Sequence, residues 1–362
     1  MANTLIVVLV VVHKLAIIYR KVLRRLAWRI ATRAGAEESA DKTNKMIICS
    51  GAGRLGVSVR ELPDEYLELK LGNSTCYAIS SDLSFESLLA YKMCGNKLVT
   101  STLLRANGMP VPQFKGFGRR EFAKAREYVR EQCDPVVVKP CSSTSGGDGI
   151  GIAVSGPWEF AKAFARALCY ANSVMIEQYV EGENFRLTVL GGELITAIRR
   201  LPAHVTGDGS SSIRQLIDAK NDAYASTTME TRLVHPITVD ADVRNRLRSE
   251  GLTMRSVPKN GHIIYLRKIS NASQGGEIQD ATDQCHSDYK QLAVSAAKIM
   301  GASLAGVDII AHDITAPFQA GTAVINEVNT TPGLAIVREP DRFGVIDSTI
   351  GEEILRHAFR IT

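Results

Sequence analysis

Two apolar runs towards the C-terminal end each carry an acid where an acid is costly. AGVDII, residues 305–310, holds Asp308, and AVINEVN, residues 323–329, holds Glu327 and Asn329. A carboxylate within a buried strand persists only when it is paired or bound to a cation. Two carboxylates and an amide oxygen form a hard-oxygen set suited to Mg²⁺ bridging phosphates. Glu327 and Asn329 are two apart on a strand and project from one face. A structural ion pair is the competing reading.

Other residues upstream suit the anions that such a metal would accompany. Residues 135–154, PVVVKPCSSTSGGDGIGIAV, read as a strand ending in Lys139, a loop of serines and glycines, and a second strand. The strand would pin the Lys139 ammonium, and Gly146, Gly147 and Gly149 would let main-chain N–H groups approach phosphate oxygens. No Gly-Lys-Ser or Gly-Lys-Thr follows the glycines, so this is not a Walker A loop. A plain hairpin with a surface lysine is the alternative. Further on, Val174–Glu177 reads as a strand and Gln178–Glu183 as a short connector. Such a connector can offer its backbone to an adenine edge, and Glu183 can accept from ribose hydroxyls, against the reading of a solvated acidic turn. Arg186, Arg199 and Arg200 alternate with apolar residues, and guanidinium binds two oxygens of a phosphate or carboxylate at once.

The elements that must carry these groups are legible in outline. A helical stretch from about Ser84 to Gly108 contains Lys97, which alone reads as a solvated surface lysine. Before it, Met46–Cys49 reads as a short strand entering Gly51-Ala-Gly53-Arg-Leu-Gly56. That is a G-x-G-x-x-G match, but VSVREL and Pro63 follow where a dinucleotide site needs a helix, so a Gly-rich turn is expected.

Bulk properties narrow the function classes. The chain has 362 residues, 45% apolar and 22% charged, enough for two or three domains. Its net charge of +5 is concentrated in Arg20, Lys21, Arg24, Arg25, Arg29 and Arg33. Without a basic stripe in the body of the chain, nucleic acid is not expected as a partner. Seven cysteines with no C-x-x-C pair argue against a disulfide framework or zinc site and fit a reducing cytoplasm. Leu5–Ile18 is apolar apart from His13 and Lys14, too short for a comfortable span, and its charges follow rather than precede it. Membrane contact through residues 5–33 and a helix packed on the body or on a partner subunit are the two readings. A polar linker, GAEESADKTNK, comes next.

Taken together, the order resembles the ATP-grasp superfamily, which includes glutathione synthetases and D-alanine–D-alanine ligases. The nearest likeness is to the ATP-grasp portion of cyanophycin synthetase. It rests on Ala197-Ile-Arg199-Arg200, the run from Pro202 through His204 to Gly209, the run from Leu266 to Gly276, Asp280-Ala-Thr-Asp283 and His286. The likeness extends from about Leu88 to Pro340. It implies an α+β architecture in which two α/β subdomains clasp ATP between antiparallel sheets, with a short N-terminal pre-domain. The expected divisions are 1–35, a hydrophobic and basic segment; 36–110, a region before the ATP-grasp; 111–185, the small lid subdomain; and 186–350, the large subdomain with substrate and metal site.

The resemblance also implies roles. Lys97 and Lys139 would meet ATP phosphates beside Gly146, Gly147 and Gly149; Glu177, Gln178, Tyr179 and Val180 would meet adenine; Glu183 would meet ribose. Asp308, Glu327 and Asn329 would hold two Mg²⁺, with Mn²⁺ an acceptable substitute. Arg186, Arg200, Arg267 and Asn271 would act on the phosphoryl group or a substrate carboxylate, near Gly275 and Gly276. The implied reaction is ATP-dependent ligation of a carboxylate to an amine through an acyl phosphate. A kinase that stops at a phosphorylated product and a membrane-tethered nucleotide-binding module without turnover are the alternatives. His204 and His286 read equally as structural histidines or as bases. The chain ends without the second, P-loop-bearing domain of cyanophycin synthetase, so a stand-alone ligase on small amino-acid or peptide substrates is expected, with a homodimer compatible with the sequence.

Overall fold

The computed structural model describes residues 6–14, 40–132, 135–142, 149–225, 236–270, 274–334 and 349–361. A first helix, α1 (6–14), precedes α2 (Ala40–Leu55) and an antiparallel sheet of β1 (Ser58–Glu61), β2 (Leu67–Leu71), β3 (Ser74–Ile79) and β4 (Asp82–Leu83) in sequence order. There follow α3 (Leu88–Cys94), α4 (Lys97–Ala106), β5 (Phe114–Gly118), α5 (Phe122–Glu131), β6 (Val136–Pro140), β7 (Gly151–Val154), α6 (Pro157–Ala167) and β8 (Ser173–Gln178). Next come β9 (Glu183–Leu190), β10 (Glu193–Leu201), β11 (His204–Thr206), α7 (Ile213–Ala225), α8 (Ala241–Ser249), β12 (Ile263–Tyr265) and β13 (Glu277–Asp280). The chain closes with α9 (Ser287–Met300), β14 (Leu304–Ala311), β15 (Ala323–Thr330) and α10 (Thr349–Phe359). Helices and antiparallel sheets thus make the α+β class expected from the sequence.

These elements form two units. The first comprises α1, Tyr91–Glu181 and Val324–Glu327. Its antiparallel sheet runs β5-β8-β6-β7. Val136, Val138, Val174 and Ile176 on one face join Phe122, Phe160 and Phe164 of α5 and α6 in an apolar core, which Ile6 and Val10 of α1 also enter. On the opposite face α4 packs so closely that a Cβ on Gly116 would lie 2.6 Å from the Leu98 side chain. Of the two readings of the N-terminal apolar segment, α1 is packed on its own unit, while residues 15–33 lie outside the described residues. No helix among the described residues is long and apolar enough to cross a membrane.

The second unit comprises Glu38–Ala90, Gly182–Ala323 and Val328–Thr362. Its main sheet has the order β13-β10-β9-β14-β15, so β15 ends in this unit although its Val324–Glu327 stretch groups with the first. The β9–β10 turn at Gly191-Gly192 has φ of 60° and 91°, the left-handed pair that a two-residue hairpin demands. Phe185, Leu187, Val189, Val307 and Ile309 are buried, and α9 covers the sheet. A satellite core of Ala203, Val205, Ile213, Ile217, Val243, Leu247 and Ile264 holds α7 and α8 against β11 and β12.

Met46–Cys49 is helical and not the strand expected, because Ile47, Ile48 and Ala52 form the buried stripe of α2. Gly51 lies in the same helix where α10 crosses, and a Cβ there would collide with the backbone of Gly351. The glycine run therefore serves a helix crossing, ending at Gly56 with φ of 66°. The long helix expected over Ser84–Gly108 is two helices. Asn96 divides them because its side chain caps α4 by accepting from the Leu98 and Val99 N–H groups, at 3.2 and 3.3 Å.

Candidate active site

In the first unit, the sheet and α4 bring together residues widely separated in sequence. Pairing of Val137 with Glu177 and Lys139 with Met175 puts Lys139 and Glu177 on one face, diagonally opposed. Their charged atoms lie 2.6 Å apart, and both side chains are about 5% exposed or less. Burial pushes the Glu177 carboxyl above the usual range, and Lys139 pulls against that shift. Lys97 opens α4, and its N–H donates 2.8 Å to the carbonyl of Cys141, two residues past Lys139. The Lys97 ammonium pairs with Glu327, while Lys139 also donates to the side chain of Asn326, at 3.4 Å. Pro110 accepts from the N–H of Ile325 at 2.7 Å, fixing this stretch of β15.

In the second unit, antiparallel pairing sets Arg186 of β9 directly opposite Asp308 of β14. The guanidinium grips both carboxylate oxygens, at 2.7 and 2.8 Å. Arg200 of β10 reaches the same carboxylate at 3.4 Å. Gly306 makes room: a Cβ there would stand 3.3 Å from the Arg186 side chain and 3.2 Å from Pro332. Strand alternation puts Asn184 on the Arg186 face, whereas Glu183 falls on the other face and pairs with Arg199. Glu183 and Arg199 line an open cavity of about 550 Å³ with Gln279, Asp280, His312 and Asp313.

The remaining expected site residues are placed as follows. Arg267 is buried with one donor on Asp240 at 2.8 Å and on the Thr238 carbonyl at 3.1 Å, while its Nε has no hydrogen-bond partner. Gln178 and Tyr179 donate their N–H groups to the carbonyls of Gln113 and Pro135, so the start of the connector is anchored, and Val180 follows it. Gly149 has φ of 79°, and a Cβ there would stand 2.8 Å from both Pro140 and Tyr170. Gly146, Gly147 and Asn271 lie outside the described residues. Gly275 turns at φ of 85° beside Ile237 and leads through Gly276 into β13. His286 caps α9 by accepting from the Asp288 N–H. His204 is buried, with its Nδ1 2.9 Å from the Pro202 carbonyl and its Nε2 3.6 Å from the half-buried Glu277, which also pairs with Lys220.

Sequence reading had not singled out Asn326, Asn184 or Gly306. Asn326 and Asn184 each adjoin a chosen acid by one position, and only strand facing distinguishes such neighbours. The donor set of Asp308, Glu327 and Asn329 is chemically suited to Mg²⁺, because all three offer hard oxygen. No cluster of three or more His, Cys, Asp or Glu side chains able to hold a metal occurs among the described residues. Two carboxylates and an amide are a set that substrate phosphate oxygens would complete.

Comparison with known proteins shows which families and relatives the chain is similar to. Residues 103–257 match the family described as D-ala D-ala ligase C-terminus. The chain is 34% identical over 300 residues to the glutathione biosynthesis bifunctional protein GshAB of Pasteurella multocida, covering 82% of this chain and 37% of that one. It is 32% identical over 264 residues to a cyanophycin synthetase of a Synechocystis species, covering 72% of this chain and 30% of that one. The crystal structure of a bifunctional glutathione synthetase from Pasteurella multocida superposes with a TM-score of 0.63 at 30% identity, over 88% of this chain and 44% of that one. The chain thus spans less than half the length of these relatives.

Proposed function

Because this chain belongs to the ATP-grasp superfamily, we propose that it is an ATP-dependent carboxylate–amine ligase that forms an amide bond through an acyl phosphate. The observation that carries this reading is the two-oxygen grip of Arg186 on Asp308, with Arg200 on the same carboxylate. It concentrates two guanidinium groups and an acid where a triphosphate, a metal and a substrate carboxylate would have to be handled together.

In the proposed reaction, Lys97 and Lys139 bind the phosphates, and the fixed position of Lys139 against Glu177 means that its charge needs no reorganisation when phosphate arrives. The connector Glu177–Val180 receives adenine, and the Glu183–Asn184 start of β9 receives ribose. Gly146, Gly147 and Gly149 approach the phosphates and exclude water from the acyl phosphate. Asp308, Glu327 and Asn329 would hold two Mg²⁺, which when bound neutralise charge on the transferring group. Arg186 and Arg200 orient the phosphoryl group or the carboxylate that attacks it. That carboxylate oxygen forms a bond to the γ-phosphorus as ADP leaves; the amine then attacks the acyl carbon, loses a proton, and phosphate departs. Arg267, Asn271 and the Gly275-Gly276 turn belong to the substrate side of this reading.

The substrates we assign are a small amino acid or peptide carboxylate and a small amine, as expected for relatives that build glutathione and cyanophycin. We assign a cytoplasmic setting, supplied with ATP, in keeping with the reduced thiols of Cys49, Cys76, Cys141, Cys169 and Cys285. Replacing Glu327 by Gln keeps side-chain size and removes one metal-binding charge. Amine-dependent phosphate release is expected to fall by about 10²-fold or more, the scale of losing one transition-state contact, in a chain that still unfolds cooperatively although the Lys97 ammonium has lost its carboxylate. Undiminished turnover in that variant would remove Glu327 from the metal site.

A further inference from the structure

The cations assigned to phosphate and the carboxylates assigned to metal are already bonded to each other. In the first unit the Lys97 ammonium holds Glu327, with the lysine side chain 9% exposed and the glutamate 25%. In the second unit Arg186 and Arg200 both hold Asp308. The buried Lys139–Glu177 pair differs, because Glu177 has no place in the metal set. A divalent cation approaching Glu327 meets an ammonium, and one approaching Asp308 meets two guanidinium groups. A triphosphate approaching the same cations meets carboxylates. Each ligand alone must separate an ion pair and meet a like charge at contact distance. The two ligands arriving together exchange partners: metal takes the carboxylates and phosphates take the cations.

Resting on the ligase reading above, we propose that the Lys97–Glu327 and Arg186/Arg200–Asp308 pairs act as counter-ion locks that make metal binding depend on nucleotide. Lys97 and Arg200 thereby suppress capture of a free divalent cation, and ATP releases them from that role. Coupling between ligands is reciprocal, so bound metal strengthens nucleotide binding by the same factor, on the scale of about 5- to 150-fold.

The test is titration of the full chain with Mn²⁺ in the absence of nucleotide, with unbound Mn²⁺ read from its paramagnetic resonance signal. Lys97→Met is expected to tighten Mn²⁺ binding about tenfold or more relative to the unmodified chain, since a like charge at contact distance has been removed. Lys97→Arg, which keeps the charge, is expected to restore weak binding. Arg200→Met tests the second lock in the same way and serves if Lys97→Met does not fold. Unchanged or weaker Mn²⁺ binding in a folded Lys97→Met or Arg200→Met chain would overturn the proposal. The double variant Lys97→Met with Glu327→Gln separates this failure from that of the underlying reading. Tight Mn²⁺ binding that survives loss of the Glu327 charge would remove the metal assignment itself. If the double variant loses Mn²⁺ while Lys97→Met alone is no tighter than the unmodified chain, only the lock fails.

Discussion

Glu86 shows how a single carboxyl reports on the frame around the site. It accepts from the N–H groups of Ser303 and Leu304, where β14 begins four residues before Asp308. Burial pushes its pKa up from the ordinary 4.5, although the two amides work against the shift. A carboxyl whose folded-state pKa exceeds its unfolded value contributes most stability below the unfolded value and loses it as pH rises through the folded value. The stability advantage of the unmodified chain over Glu86→Gln should therefore shrink as pH climbs from below 4.5 towards neutrality, as read from paired denaturant unfolding curves at each pH. A gap that widens over that range would show that the two amide contacts outweigh burial. Single residues also mark where sequence reasoning is sharp. Asp308 and Glu327 stand out because a charge in an apolar run needs a partner. The partners, Arg186 and Lys97, are 122 and 230 residues away, and no local pattern names them.

At the scale of elements, β14 and β15 were legible in the sequence as apolar runs marked by an acid, and β9 as an apolar stretch marked by Arg186. The helix α2 was hidden. Its apolar residues Met46, Ile47 and Ile48 are consecutive, and a short apolar run does not distinguish a strand from a buried helical stripe. What decides the matter is α10, some 300 residues later, whose Ile350, Ile354 and Leu355 pack with Ile47 and Ile48. The crossing gives a prediction with two signs. Gly53 has nothing within 4 Å of a built Cβ, so Gly53→Ala should stabilise the chain by about 0.5–1 kcal/mol through helix propensity. Gly51→Ala gains the same propensity but meets the backbone of Gly351 and Glu352. Overpacking of this kind costs about 1–3 kcal/mol, and a rigid backbone neighbour puts it at the upper end. Urea midpoints for the two variants should move in opposite directions.

For the whole molecule, the basic run at residues 20–33 accounts for the net positive charge, and the rest of the chain supplies a nearly neutral body. The order of Lys97, Lys139, the Glu177–Val180 connector, Arg186 and the terminal acid pair carried the resemblance to the ATP-grasp superfamily, and the ATP-handling roles follow from that resemblance. The facing of Asn184 and Glu183 and the mutual pairing of cations and acids became visible only through register and packing. The central claim concerns bond formation, and mass spectrometry of reaction products tests it most directly. The full chain is incubated with Mg-ATP and pooled amino acids and short peptides, with each amine omitted in turn. The expected result is a new product whose mass is the sum of one acid and one amine less one water, formed in step with ADP and phosphate and lost when that amine is left out. A stable product carrying the γ-phosphoryl group, or bound ATP that never turns over, would contradict it.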